Sequence, residues 1–240
     1  MKKEKRGNHD MFYALCGSPR KKHNTDQLLD FVLNGIMDII PDAKVKKLYV
    51  YDYNYTGCIS CYACKRMNGK SYGKCAKKDD ISELLYELSK ADGIVIGSPV
   101  YFHDIPGQLR SFMERLLYPY LVYGKECCSI APRKMPTAFI YTMNATEEKM
   151  KKMNYPIKLS AMEEYTEIVF TKPEILYCYD TYQFDDYSLY KAERFPEREK
   201  FLIKQELFPK DCEKAFALGQ QLARKAKCQN PIVSEIPDKI

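Results

Sequence analysis

The chain has 240 residues and a mass of 28.0 kDa, and 45% of its residues are hydrophobic. That length and composition exclude a peptide-sized module and a mostly disordered chain, because enough apolar surface is present to build a core. The formal net charge of +6 is smaller than the concentrated basic surface of a nucleic-acid-binding protein requires, and it suits anionic small molecules.

No apolar run approaches the roughly 18 residues that a membrane span needs. A basic segment at residues 1–10 precedes the apolar run at residues 11–16, but that run is shorter than the core of about 7–15 residues found in signal peptides. The sequence therefore predicts a cytoplasmic protein with no membrane or nucleic-acid partner.

Short apolar runs alternate with amphipathic segments along the chain. The runs predict buried strands at residues 11–16, 45–51, 93–97, 137–142 and 175–179. The amphipathic segments predict helices at residues 28–40, 84–88, 109–117, 157–168 and 211–227, and Asp80 to Glu83 has the spacing of a capping box. This alternation predicts βαβ units and a single α/β domain with a parallel sheet.

Two insertions interrupt that pattern. Residues 11–179 are predicted to form the main domain, with a cysteine-rich insertion at 57–78, and residues 209–240 supply its last helix and a tail. The segment 180–208 mixes aromatic and acidic residues without a clear period, and we call it the arm. A long irregular segment in a compact domain is often functional or faces a partner, and the alternative is a surface arm that packs on its own domain.

The loop between the first strand and the first helix is a candidate anion site. A helix N-terminus presents unpaired N–H groups and the positive end of the helix dipole, which together favour a phosphate. Ser18, Asn24 and Thr25 add short hydrogen-bonding side chains there, and Arg20 adds a positive charge. The loop has neither a Walker motif nor a dinucleotide-binding glycine motif. The alternative is an ordinary loop in which Asn24 or Thr25 caps the helix.

A second loop follows the third strand and supplies an apolar wall. In a doubly wound sheet of order 2-1-3-4-5, the first and third strands flank the point where ligands bind. Pro99, Val100, Tyr101 and Phe102 would therefore face the same crevice as the anion site. A flat heteroaromatic ring that carries one phosphate needs this combination of surfaces.

Three separated motifs carry a resemblance to a known family. They resemble, in the same order, motifs of the flavodoxin-like NAD(P)H-dependent FMN reductases, and the cysteine run is most similar to the iron–sulfur flavoprotein branch. The motifs are residues 17–20 with 24–25, residues 98–101 and residues 107–115. The resemblance implies a flavodoxin-like, doubly wound, five-stranded parallel sheet of order 2-1-3-4-5 with helices on both faces. It also implies a homodimer or a higher homo-oligomer.

The same resemblance implies where FMN binds. The FMN phosphate would lie on Ser18, Arg20, Asn24 and Thr25. The isoalloxazine ring would lie against the wall that runs from Pro99 to Phe102, and Asn144, after the fourth strand, would touch its other edge. His103 is a weak candidate for a catalytic residue above the ring, where the flavin itself does the chemistry.

Four of the ten cysteines are grouped in the insertion. They are Cys58, Cys61, Cys64 and Cys75, with lysine and arginine residues around them. Four thiolates in one loop could hold a [4Fe–4S] cluster, and the pattern resembles that of the iron–sulfur flavoproteins, although its last gap is longer. Bare or structural thiols and a Cys₄ zinc site are the alternatives. The other six cysteines are predicted to be core residues or incidental.

The resemblance predicts an FMN-dependent oxidoreductase. It would pass electrons from NAD(P)H to a quinone, a flavin, a nitro compound or a redox partner, and the cofactor supplies the difficult chemistry. The alternatives are a non-enzymatic flavodoxin or iron–sulfur electron carrier and a thiol-based redox sensor. The arm is a candidate to reach the flavin crevice of a neighbouring subunit. The sequence does not choose between NADH and NADPH.

Overall fold

The computed structural model describes residues 10–125 and 128–228. Most of the basic N-terminal tail and Cys127 therefore lie outside the described residues. Five strands form one parallel sheet in the order β2-β1-β3-β4-β5, as expected for the flavodoxin-like fold. The strands are β1 (Met11–Cys16), β2 (Lys44–Tyr49), β3 (Gly93–Pro99), β4 (Thr137–Thr142) and β5 (Glu174–Cys178).

Seven helices lie among the described residues and cover both faces of the sheet. They are α1 (Asn24–Ile39), α2 (Ser82–Leu88), α3 (Gly107–Leu117), α4 (Glu147–Lys152), α5 (Tyr155–Val169), α6 (Glu197–Glu206) and α7 (Phe208–Cys228). Side chains of β1 alternate between two cores: Phe12 and Ala14 pack towards α1 and α7, whereas Tyr13 and Leu15 pack towards α2, α3 and α5. None of the helices in residues 10–125 and 128–228 is long and apolar enough to cross a bilayer.

The structure corrects the prediction of a capping box. Helix α2 begins at Ser82, and its N-cap residue is Ile81, whose side chain makes no capping hydrogen bond. The Asp80 carboxylate instead accepts a hydrogen bond from the backbone N–H of Asn54 at 2.8 Å. Helices α4 and α6 were not predicted, because neither has an apolar stripe: the large apolar residues of α6 are half-exposed.

The core contains one carboxyl group that makes stability depend on pH. Burial raises the pKa of Glu163 on α5, and the Tyr141 hydroxyl beside it only partly opposes that rise. Because the folded pKa is higher than the unfolded pKa, the stabilising contribution is complete at acidic pH and is lost as pH rises through the folded pKa. We expect Glu163→Gln to remove this loss, so that urea unfolding of the variant depends less on pH.

Glu167→Gln is the matched control, because that carboxyl lies on the same helix and is exposed. Equal pH dependence of the unfolding free energy in wild type and Glu163→Gln would contradict the expected role of the buried carboxyl.

Candidate functional site

The loops that follow parallel strands meet at one edge of the sheet and form a cleft there. The cleft is open to solvent and is lined by both polar and apolar residues. Eight of the nine residues predicted to bind FMN line it: Ser18, Arg20, Asn24, Thr25, Pro99, Val100, Tyr101 and Asn144. The crevice predicted between the first and third strands is therefore present, and it extends across β4.

The predicted anion site lies at the N-terminus of α1. His23 is the N-cap residue, and its side chain makes no capping hydrogen bond. The first N–H groups of a helix lack partners within the helix, so this end can receive a phosphate. The backbone N–H of Arg20 donates to the Ser18 hydroxyl at 3.1 Å, and this bond tightens the loop. Neither Asn24 nor Thr25 is the N-cap, which disfavours the alternative of a simple capped helix.

A buried ion pair fixes the first turn of α1 from behind. The Asp26 carboxylate accepts from the Lys22 backbone N–H at 2.5 Å and from the Tyr49 hydroxyl at 3.0 Å, and it pairs with Lys47. Burial disfavours the charged carboxylate, but these partners outweigh it and lower the pKa of Asp26. The negative charge of Asp26 is thus compensated, and these contacts hold the loop between β1 and α1 in place.

The opposite wall of the cleft is apolar and is tied to β4. Pro99, Val100 and Tyr101 line it, and the backbone N–H of Val100 donates to the Thr142 carbonyl at 3.0 Å. Across the cleft, the Oδ1 atom of Asn144 is buried and has no hydrogen-bond partner among the described residues. An amide oxygen left without a partner beside an apolar wall fits the polar edge of a flavin ring. The residues of this cleft therefore fit FMN.

Phe102 is the one predicted FMN residue that does not line the cleft. Its side chain is 100% exposed, and its backbone has φ of 51°. With His103, whose φ is 70°, it forms a tight turn in which Tyr101 and Asp104 exchange two backbone hydrogen bonds of 2.8 and 3.0 Å. His103 also lies outside the cleft, and its ring packs against Tyr155. Left-handed backbone at a bulky residue is strained.

Glycine at position 102 would relieve that strain without any loss of packing. We expect Phe102→Gly to raise the free energy of unfolding by up to about 1 kcal/mol, because left-handed backbone costs other residues about 1–2 kcal/mol. Phe102→Ala is the control, since it removes the same exposed ring but keeps a Cβ at a φ of 51°. Equal urea midpoints for the two variants would refute the strain.

The first residues of the arm close the cleft on the same chain. Arg20 Nη1 donates to the Gln183 carbonyl at 2.5 Å, and Asn24 Nδ2 donates to the Tyr182 carbonyl at 2.7 Å. The Gln183 side chain accepts from Asn144 Nδ2 at 2.9 Å, and Thr181 also lines the cleft. We did not predict these arm residues as part of the site, although their position directly after β5 was a signal. A reach of the arm to a neighbouring subunit stays a prediction.

The four cysteines of the insertion line a second, small cavity beside the C-terminal end of α3. Cys58, Cys61, Cys64 and Cys75 all line it. Cys64 is buried, Cys75 is half-buried and the other two are exposed. Burial raises the pKa of the Cys64 thiol, Lys65 opposes this, and the three neighbouring cysteines raise it further. Four thiolates held together repel one another, and a positively charged cluster core would compensate them.

Positive charge surrounds this cavity. Residues 57–78 contain six lysine or arginine residues and no acidic residue, so this loop carries a charge equal to the whole formal net charge of the chain. Lys65 donates to the Leu121 carbonyl at 2.5 Å and lies over the Tyr118 ring. Within residues 10–125 and 128–228, no group of three His, Cys, Asp or Glu side chains is arranged to hold a single metal ion. The loop is therefore basic, and the cavity that it forms is rich in sulfur and is also lined by Lys77, Arg115 and Glu114.

The remaining described cysteines divide as predicted. Cys16 and Cys178 are fully buried in β1 and β5, and burial raises the pKa of the Cys16 thiol to about 11. Cys212 is buried in α7, while Cys128 and Cys228 are exposed. None of these five lines the cysteine cavity. Among the described cysteines, those that share this cavity therefore all lie in the insertion.

A quinone oxidoreductase and an azoreductase are among the solved structures with similar folds. A NAD(P)H:quinone oxidoreductase from Methanothermobacter marburgensis has a TM-score of 0.63 and 14% identity, over 89% of this chain and 99% of that protein. An FMN-dependent NADH-azoreductase from Bacillus anthracis, in complex with FMN, has a TM-score of 0.60 and 12% identity, over 90% of this chain and all of that protein. At such low identity, the likeness shows the fold alone.

Curated relatives match the first part of the sequence. An iron–sulfur flavoprotein of Clostridioides difficile is 32% identical over 120 residues, which are 49% of this chain and 51% of that protein. An iron–sulfur flavoprotein of Methanocaldococcus jannaschii is 37% identical over 102 residues, which are 42% of this chain and 49% of that protein. The chain therefore spans about half the length of the curated relatives that it matches.

The family model described as NADPH-dependent FMN reductase matches residues 12–133, which are slightly more than half of the chain. This segment contains the predicted anion site, the cysteine-rich insertion and the apolar wall of the cleft. From the fold, the cleft and this match together, the chain belongs to the NADPH-dependent FMN reductase family.

Proposed function

We propose that the protein is an FMN-dependent oxidoreductase that passes electrons from NAD(P)H to a small acceptor or to a redox partner. The acceptor class would be quinones, free flavins or nitro compounds. One observation carries the proposal: eight residues from three separated loops, each predicted from the sequence, line a single cleft. Membership of the NADPH-dependent FMN reductase family supports the same activity.

The chain's own residues would bind and orient the cofactor. Ser18, Asn24, Thr25 and the N-terminus of α1 would hold the phosphate, with Arg20 supplying positive charge beside it. When bound, FMN supplies an acceptor for hydride and a donor of one or two electrons. Its ring would lie on Val100 with its polar edge towards the free Oδ1 atom of Asn144.

The arm would shield the phosphate end of the cofactor from water. The carbonyl groups of Tyr182 and Gln183 already accept hydrogen bonds from Asn24 and Arg20. The carboxylate of Asp180 pairs with the buried ammonium group of Lys200 on α6, which fixes the base of the arm. Nicotinamide and the acceptor would then bind one after the other at the open side of the cleft, next to the half-exposed Tyr101.

Steady-state kinetics test this proposal directly. Protein loaded with FMN should oxidise NADH or NADPH in the presence of a quinone or a nitro compound, and double-reciprocal plots should give parallel lines because the two substrates use one site in turn. The absence of turnover with either nicotinamide and all of these acceptors would contradict the reductase. That result would favour the alternative of a non-enzymatic electron carrier.

We propose further that Cys58, Cys61, Cys64 and Cys75 hold a [4Fe–4S] cluster. Their convergence on one cavity in a basic loop supports it, and so does the similarity of the chain to iron–sulfur flavoproteins. Protein purified without oxygen should contain about four iron and four sulfide per chain, since one thiolate binds each iron. Cys75→Ser should lose this iron, while Cys228→Ser, which changes an exposed cysteine elsewhere, should keep it.

Iron-free protein whose four thiols form reversible disulfides would contradict the cluster and favour the thiol sensor. A homodimer and a cytoplasmic location also remain predictions. Gel filtration of the loaded protein at two concentrations would test the dimer.

A further inference from the structure

Arg115 is a buried charge that the proposed electron transfer does not use. It lies on α3 and is only 2% exposed, and charged side chains are rarely buried to this extent unless they are paired. Its side chain lines the cavity that contains the four cysteines of the insertion. A positive charge in that position must affect both the loop and anything bound by the thiols.

The guanidinium group joins the two ends of the cysteine loop. Nη1 and Nη2 donate to the two oxygens of Asp79 at 2.5 and 3.0 Å, as a bidentate pair. Nη1 also donates to the carbonyl of Thr56 at 3.2 Å, just before the loop, and Nη2 donates to the carbonyl of Lys77 at 3.4 Å, near its end. One side chain therefore closes a segment of more than twenty residues.

The third nitrogen of Arg115 is left for a ligand. Nε is buried and has no hydrogen-bond partner among the described residues, and a charged donor in this state is costly. Arg115 lines the same cavity as the four cysteines, so this unpartnered N–H group lies close to the thiols.

We propose that Arg115 is a positioning residue of the cysteine site, which clamps the ends of residues 57–78 and offers its unpartnered Nε–H to the cavity that the four cysteines line. The proposal rests on the proposed cluster. Hydrogen bonds to ligand sulfurs and nearby positive charge make an iron–sulfur cluster easier to reduce. Arg115 would thus raise the reduction potential of the cluster, and Asp79 would moderate that effect by neutralising part of its charge.

Two substitutions should shift the reduction potential in opposite directions. Arg115→Met removes a positive charge and should make the midpoint potential more negative, whereas Asp79→Asn leaves the guanidinium uncompensated and should make it more positive. Arg110→Met is the control, because Arg110 lies on the same helix, is half-exposed and pairs with Asp104 and Glu114. Anaerobic dye-coupled titration of the cluster absorbance measures all three potentials.

Hydrogen–deuterium exchange of the iron-free protein tests the clamp separately. Amides of residues 57–78 should exchange about tenfold faster in Arg115→Met than in wild type, and at the wild-type rate in Arg110→Met. If Arg115→Met does not fold, Arg115→Lys and Asp79→Asn replace it in the exchange experiment. Lysine keeps the positive charge but lacks the planar set of N–H donors that binds both oxygens of Asp79.

Unchanged exchange of the loop, or potentials that shift in the same direction in Arg115→Met and Asp79→Asn, would overturn the proposal. Wild-type protein that binds no iron under any anaerobic condition would instead contradict the cluster itself, and with it the effect on the potential. The exchange experiment would then still decide the clamp.

Discussion

Gly219→Ala is expected to lower the free energy of unfolding by about 3 kcal/mol or more, because it forces a methyl group into backbone that cannot retreat. Helices α1 and α7 cross with almost no space between them. A Cβ atom at Gly219 would lie 2.0 Å from the carbonyl oxygen of Val32 and 2.9 Å from its carbonyl carbon. A Cβ atom at Gly35 on α1 would likewise lie 2.0 Å from the carbonyl oxygen of Phe216.

Gly107→Ala is the matched control for this substitution. A Cβ atom at Gly107 would meet nothing within 4 Å, so the same chemical change at the start of α3 should leave stability equal or slightly higher. Urea unfolding followed by circular dichroism measures both. A Gly219→Ala variant whose unfolding free energy is within about 0.5 kcal/mol of wild type would contradict the close crossing of α1 and α7.

Asn24→Asp should weaken FMN binding by about 100-fold, which corresponds to about 2.7 kcal/mol. The change keeps the shape of the side chain but places a negative charge where the cofactor phosphate is expected to bind. Like charges about 4 Å apart repel by about 4 kcal/mol at the dielectric typical of a protein surface, and ions screen part of this. An acidic residue in the first turn of a helix favours folding, which offsets part of the loss of the hydrogen bond from Asn24 Nδ2 to the Tyr182 carbonyl.

Gln27→Glu is the control for charge alone. Gln27 is exposed, lies on the same helix and does not line the cleft, so the same change of charge should alter affinity by less than about threefold. Quenching of FMN fluorescence on titration with protein measures both dissociation constants. Equal affinities of the two variants would place the phosphate away from the N-terminus of α1.

The strands could be predicted from the sequence because parallel strands buried on both faces form continuous apolar runs. The runs at β1 and β4 have the predicted bounds, and the other three are shifted by no more than two residues. The strand order was implied by the family resemblance, which also named nine candidate FMN residues, and eight of these line the cleft beside β1 and β3.

The features that the sequence did not predict depend on contacts between segments that are distant along the chain. The bond from Arg20 to the Gln183 carbonyl joins residues 163 positions apart, and no local pattern signals it. Phe102 was predicted to face the ring, but its side chain direction is set by a turn with two left-handed residues, neither of which is glycine. Helix α6 has no apolar stripe because its side chains are largely exposed. The family match likewise ends at residue 133, before the arm.

We infer that the cleft at the carboxyl edge of the sheet binds FMN. The flavin content of the protein purified without oxygen tests this binding, measured by its visible spectrum and by chromatography of the flavin released with acid. We expect about one FMN per chain after incubation with FMN, and a tenfold or greater loss of retained flavin in Asn24→Asp. Wild-type protein that retains no FMN, with or without added cofactor, would contradict it.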